Sequence, residues 1–138
     1  MSAESQKRLI TRWVLEMWGG GNLGLVDELT AEGYVYRAPG MPDVRGRTAL
    51  KALVTFYRTA FPDLTNTIED LVGEGSKVVT RGTTRGTHRG PLGNVPASRK
   101  QIAVSWVLIS RFDGHKLIDE WEVFDSLGLM QQIGAVPS

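Results

Sequence analysis

The spacing of apolar residues changes near residue 62, and that change constrains the fold more than any other feature of the chain. Before it, Leu9, Ile10, Trp13, Val14, Met17 and Trp18 recur at steps of one, three and four, which predicts a helix over about 4–18. Gly19-Gly20-Gly21 ends that helix, because glycine takes the left-handed cap conformation at little cost. Asn22 can then cap a second, short helix carrying Leu25, Val26 and Leu29. Tyr34-Val35-Tyr36 reads as a short strand and APGMP as a loop. A third helix, about 46–60, puts Leu50, Leu53, Val54, Tyr57 and Phe61 on one side, and Pro62 stops it. After this point the pattern is strand-like over about 65–73, 76–90, 100–112 and 115–125. Turns at GEGSK and RFDGHK join the runs, and PLGNVPASRK is the one longer loop. A last helix over about 126–133 starts at Asp125 or Ser126 and ends at Gly134. Helices followed by an antiparallel meander predict an α+β fold with helices laid over one sheet face. No repeat or linker divides the chain, so residues 1–138 read as one domain.

Several function classes fall away on composition. Sixteen basic and 15 acidic residues leave a net charge of +1, so no overall field draws in nucleic acid or an anionic membrane. Cysteine is absent, which removes disulfides, thiolate metal sites and cysteine nucleophiles together. The start, MSAESQKRLITRW, is charged and amphipathic rather than signal-like, and no stretch approaches the roughly 20 apolar residues of a membrane span. A cytoplasmic protein without membrane or nucleic-acid partners is expected.

Gly19 to Gly24 formally matches GxGxxG, but a helix precedes it where a dinucleotide site needs a strand, so it reads as a helix break. His88 and His115 show no metal-ligand spacing, and no metal is expected. In the 76–90 run, Val78, Thr80, Gly82, Thr84, Gly86 and His88 share one face, and Arg81, Arg85 and Arg89 share the other. Small residues ending in an imidazole suit a wall that a ligand approaches; they equally suit a twisted strand with His88 satisfied by a neighbour. The arginine row reads as a solvated or subunit-facing surface. In the 100–112 run, Ile102, Val104, Trp106 and Leu108 form one apolar face, where Trp106 either floors a pocket or fills the core. In EWEVFD, Glu120, Glu122 and Phe124 alternate with Trp121, Val123 and Asp125, so whichever face turns inward carries acid and aromatic together. An inward carboxylate is costly unless paired, protonated or functional. Glu120 is expected in solvent; Asp125 either caps the last helix or faces the interior.

The stretch from Phe61 to Gly134 resembles the SnoaL-like polyketide cyclase (ester cyclase) family. The marks are FPDL at 61–64, IEDLVGEG at 68–75, RGTTRGTH at 81–88, and EWEVFD followed by LGLMQQIG. The resemblance implies an NTF2-like, cone-shaped fold: a strongly bent antiparallel sheet whose concave face the 4–18 and 46–60 helices cover, around an apolar pocket. It implies cofactor-independent intramolecular aldol chemistry by one pocket carboxylate on a small, hydrophobic, polyketide-like carbonyl compound. Anchored on Arg111, Lys116 and Asp125, the family's aspartate falls on Glu122, with Asp125 as its rival; the accompanying histidine falls on Leu108 and is missing. His88 matches the family's GTH element as a further catalytic candidate. Wall candidates are Trp13, Met17, Tyr36, Tyr57, Trp106, Leu108, Trp121 and Phe124. A homodimer through the outer sheet face is the family-level expectation. Other readings of the same fold are a non-catalytic ligand-binding or scaffold protein and another acid/base enzyme, such as an isomerase, dehydratase or epoxide hydrolase.

Overall fold

The computed structural model describes residues 2–138. Helix α1, Ala3–Arg12, begins at Ser2, whose hydroxyl accepts from the Ser5 amide, and runs on as a π-helical segment, Trp13–Trp18. The wider turn buries Trp13, Val14 and Met17. Gly19 and Gly20 form the turn that ends this segment, and Gly21, at φ +75°, takes a conformation that side chains resist. There follow α2 (Gly24–Leu29), β1 (Thr30–Arg37), β2 (Val44–Arg45) and α3 (Arg47–Ala60). The meander is β3 (Thr65–Glu74), β4 (Lys77–Thr87), β5 (Gln101–Asp113) and β6 (Lys116–Phe124), closed by α4 (Ser126–Gln132).

The six strands form one curved open sheet in the order β2-β1-β6-β5-β4-β3. Strand β1 is longer than the three residues expected, and it lies parallel to β6; the other pairings are antiparallel. The even-numbered face of β4 and β5 turns inward, as the alternation predicts: every even residue from Ile102 to Phe112 is buried and every odd one exposed. Helix α3 and the π segment cover this face. Arg58 ties them together by donating to the carbonyls of Trp18 (3.0 Å) and Leu64 (3.1 Å).

Two irregularities set what faces inward. In β3 the register shifts between Ile68 and Asp70. In the β5–β6 hairpin, Phe112 pairs with Leu117 but Arg111 pairs with Asp119, so Ile118 is an extra residue in β6. Beyond this bulge Ser110, Leu108 and Trp106 lie opposite Glu120, Glu122 and Phe124. A regular hairpin continuing the first two pairs would have set Asp119, Trp121 and Val123 there instead, because a slip of one residue exchanges the faces of a strand. Among the described residues no helix is long and apolar enough to cross a membrane.

Candidate active site

A cavity of about 720 Å³, counting its open mouth, lies between the inner sheet face and the helices. Its wall is apolar for most of its extent. Trp106 forms much of one side, lying across Gly82 on the neighbouring strand: a Cβ at Gly82 would meet Trp106 Cζ2 at 2.5 Å and the Thr67 carbonyl oxygen at 2.4 Å. Only glycine leaves room for the indole there. Val14 and Trp18 of the π segment and Phe61 and Leu64 after α3 close the other side, and Leu129 of α4 lines it as well. At one place Asn66 and Thr84 form a closed polar pair: Thr84 Oγ1 donates to Asn66 Oδ1 at 2.6 Å, and Asn66 Nδ2 donates to the Val14 carbonyl at 3.0 Å.

Glu122 is the one carboxylate on the wall among the described residues. The bulge in β6 turns it inward beside Leu108, and the parallel pairing with β1 brings Tyr36 alongside, whose hydroxyl donates to Glu122 Oε1. The residue keeps some accessible surface because it borders the cavity, yet its carboxyl lies deep among protein atoms. Desolvation pushes its pKa up to about 7, against the opposing effect of the Tyr36 hydrogen bond. The same burial and the nearby Glu122 charge push the Tyr36 phenol well above its ordinary range. Tyr57, wedged by α3 with its ring edge-on to Phe124 (6.4 Å) and to Phe56 (5.3 Å), is raised by burial first and then by Glu122.

Glu120 lies on the same strand face and corrects the expectation that it is solvated: it is 0% exposed. Trp13 Nε1 donates to its Oε1 at 3.0 Å, Tyr34 OH donates to the same oxygen at 2.6 Å, and Ser110 Oγ donates to Oε2 at 2.5 Å. Burial raises this carboxyl to about 7 as well; the hydrogen bonds oppose the rise, and the charge of Glu122 adds to it. It is not among the residues that line the cavity beside Glu122.

The other candidates divide cleanly. Tyr36, Tyr57, Trp106, Leu108 and Phe124 line the cavity with Glu122. Trp13 and Met17 do not: both are fully buried in the core behind the wall, Trp13 spending its N–H on Glu120. Trp121 is 51% exposed on the outer sheet face, beneath the Arg37 guanidinium at 5.5 Å, because the bulge reverses its side of the strand. Asp125 is exposed and caps α4, accepting from the Gly128 amide at 2.8 Å. His88 is buried off the cavity wall beside Phe61 (5.4 Å between rings). Its Nδ1 accepts from the Ser98 amide at 3.1 Å, and desolvation lowers its pKa. Sequence reasoning missed the Trp13–Tyr34–Ser110 cradle of Glu120 and the Asn66–Thr84 pair. The alternation in β4 already placed Thr84 inward; nothing local marked the rest. Among the described residues no group of three or more His, Asp or Glu side chains could hold a metal ion.

The sequence matches the family model described as SnoaL-like polyketide cyclase over residues 8–133. A candidate polyketide cyclase from Acidithiobacillus ferrooxidans is similar at 31% identity and a TM-score of 0.84, over 96% of this chain and 97% of that one. IdmH, a candidate polyketide cyclase from Streptomyces antibioticus, is similar at 26% identity and a TM-score of 0.82, over 94% and 98%. A Catenulispora acidiphila protein with a ketosteroid isomerase-like fold, solved with trimethylamine, has 17% identity and a TM-score of 0.78 over 91% and 92%, a likeness of fold alone. No curated protein matches the sequence significantly. With a family model spanning nearly the whole chain and solved relatives that share its architecture from end to end, this chain belongs to the SnoaL-like polyketide cyclase family.

Proposed function

We propose that the protein closes a ring in a small, mostly apolar, polyketide-like carbonyl compound by intramolecular aldol condensation, with Glu122 as base and then acid. One observation carries this reading: a lone carboxyl with a pKa raised to about 7 stands on the wall of an otherwise apolar cavity. Such a group is half-ionised near neutral pH and is a stronger base than a solvated glutamate. A methylene between two carbonyls is acidic enough to yield its proton to it. The C–H pair moves into the new enolate, whose carbon attacks a second carbonyl of the same molecule held close by the walls. A C–C bond forms, the attacked oxygen becomes an alkoxide, and protonated Glu122 returns its proton there. Atoms and charge balance without an added reactant. The family resemblance, anchored on Arg111, Lys116 and Asp125, sets the catalytic aspartate on Glu122 and supports the same assignment.

The test needs no knowledge of the natural substrate. Aromatic 1,3-diketones in D2O should exchange their central methylene protons faster with wild-type protein, as followed by NMR. Glu122→Gln should slow that exchange by about 100- to 10,000-fold, the usual worth of a positioned acid/base. Diketone binding with no exchange by either form would instead make the protein a binder.

The proposal extends to a homodimer. Val72, Val79, Ile109 and Trp121 form one cross-strand row on the outer face, all at least 37% exposed, with Val107 and Val123 beside it. An apolar band of this kind suits a second copy of the same face. Trp121→Arg should yield a monomer by sedimentation equilibrium with an unchanged circular dichroism spectrum; an unaltered mass would refute the interface.

A further inference from the structure

Catalysis through Glu122 leaves one part of the chemistry without a protein partner. When a carboxylate removes a proton from carbon, the charge that develops gathers on the carbonyl oxygen of the substrate, across from the base. In an apolar cavity that oxygen gains most from a fixed donor, because there is little water to solvate it. Two donors of residues that line the cavity lack an acceptor among the described residues. The Tyr57 hydroxyl makes no hydrogen bond to the described residues, unlike Tyr34 and Tyr36, whose hydroxyls are both committed to glutamates. The indole N–H of Trp106 is buried and unpaired in a residue only 5% exposed. Only the Trp106 N–H is sealed; the Tyr57 hydroxyl belongs to a half-buried residue that lines the cavity, and is free to donate to an oxygen that enters it.

Resting on the reading of Glu122 as base, we infer that Tyr57 is a second catalytic residue: its phenol donates to the substrate oxygen that becomes the enolate. The placement fits. Tyr57 comes from α3 on the helical side of the cavity and Glu122 from the sheet side, so a flat carbonyl compound between them meets a base on one side and a donor on the other. The Tyr57 ring packs edge-on to Phe124 and to its neighbour Phe56, which limits how it turns. The phenol stays protonated at neutral pH and donates without giving up its proton, so the proton balance remains with Glu122.

4-Nitrophenol, whose phenolate mimics an enolate oxygen, tests this directly. At pH 8 Tyr57→Phe should raise its Kd by about tenfold or more, the worth of a hydrogen bond to a charged acceptor. The Kd of 4-nitroanisole, which has no ionisable oxygen, should hold within about twofold. The diketone exchange rate should drop by about 10- to 100-fold in Tyr57→Phe. The variant leaves no orphaned partner, since the hydroxyl it removes bonds to none of the described residues. Equal weakening of both probes, or an unchanged phenolate Kd, would each overturn the inference. Repeating the pair in a Glu122→Gln background separates the two assignments. Exchange lost in Glu122→Gln with phenolate affinity unmoved in Tyr57→Phe overturns Tyr57 alone. Exchange retained in Glu122→Gln with phenolate affinity lost in Tyr57→Phe overturns Glu122 as base and keeps Tyr57 as the oxygen donor.

Discussion

Glu120 and Glu122 are two residues apart on one strand, face the same way and are raised to a similar pKa, yet their surroundings differ in kind. Around Glu120 the protein provides three donors from three elements, away from the cavity wall; the carboxyl is a hub of the core. Around Glu122 it provides one donor and an apolar space; the remaining capacity of the carboxyl faces what enters. Burial alone therefore does not mark a catalytic acid. What separates the two is how many of the group's hydrogen bonds the fold has already used.

Activity breaks the comparison most sharply. Glu122→Gln should remove about two to four orders of magnitude of methylene exchange, whereas Glu120→Gln, which can still accept from Trp13 and Tyr34, should retain most of it. Near-equal losses in the two variants would mean that the pair acts as one unit and that the distinction drawn from hydrogen bonding is wrong.

Stability should rank the two the other way. Glu120→Leu strands the Trp13 N–H and leaves the Tyr34 and Ser110 hydroxyls to find other acceptors inside the core. At about 1–3 kcal/mol for each unsatisfied group, a loss of about 3 kcal/mol or more in urea unfolding is expected. Glu122→Leu orphans only the Tyr36 hydroxyl and adds apolar surface to an apolar cavity, so it should cost less than about 1.5 kcal/mol. A larger loss from Glu122→Leu would show Glu122 to be a structural group.

How far the sequence reaches follows the range of the interactions. The helix stripes, the alternation in β4 and β5 and the capping role open to Asp125 are local patterns, and they placed Tyr57, Trp106, Leu108 and Thr84 inward. Facing in β6 is not local. It depends on the extra residue Ile118, and a regular count from the RFDGHK turn turns Trp121 inward and Glu122 outward. The family resemblance set the catalytic aspartate on Glu122, which lines the cavity, while the list of wall residues kept Trp121, which is on the far side. Glu120 was out of reach for a second reason. Its three donors come from Trp13, Tyr34 and Ser110, and β1 lies beside β6 only through a parallel pairing between the ends of the chain.

The smallest expected effect is also the most direct probe of how the two carboxyls are linked. Each is raised from an ordinary value of 4.5 to about 7, chiefly by desolvation, so each binds its proton more tightly in the folded chain than in the unfolded one. Between about pH 4.5 and 7 the folded state therefore holds more protons, and the contribution of these groups to stability falls as pH rises through that window. Glu120→Gln removes one of the two groups and should flatten the decline, read as the urea midpoint against pH. The charge of Glu122 adds to the rise at Glu120, and such a coupling is reciprocal, so the same substitution also removes a charge that opposes ionisation of Glu122. The acid limb of the exchange rate, set by Glu122 losing its proton near 7, should then move to lower pH by less than about one unit. A limb that stays in place while the stability profile flattens would show that the closed carboxyl and the open one titrate independently, with Glu120 serving the core alone.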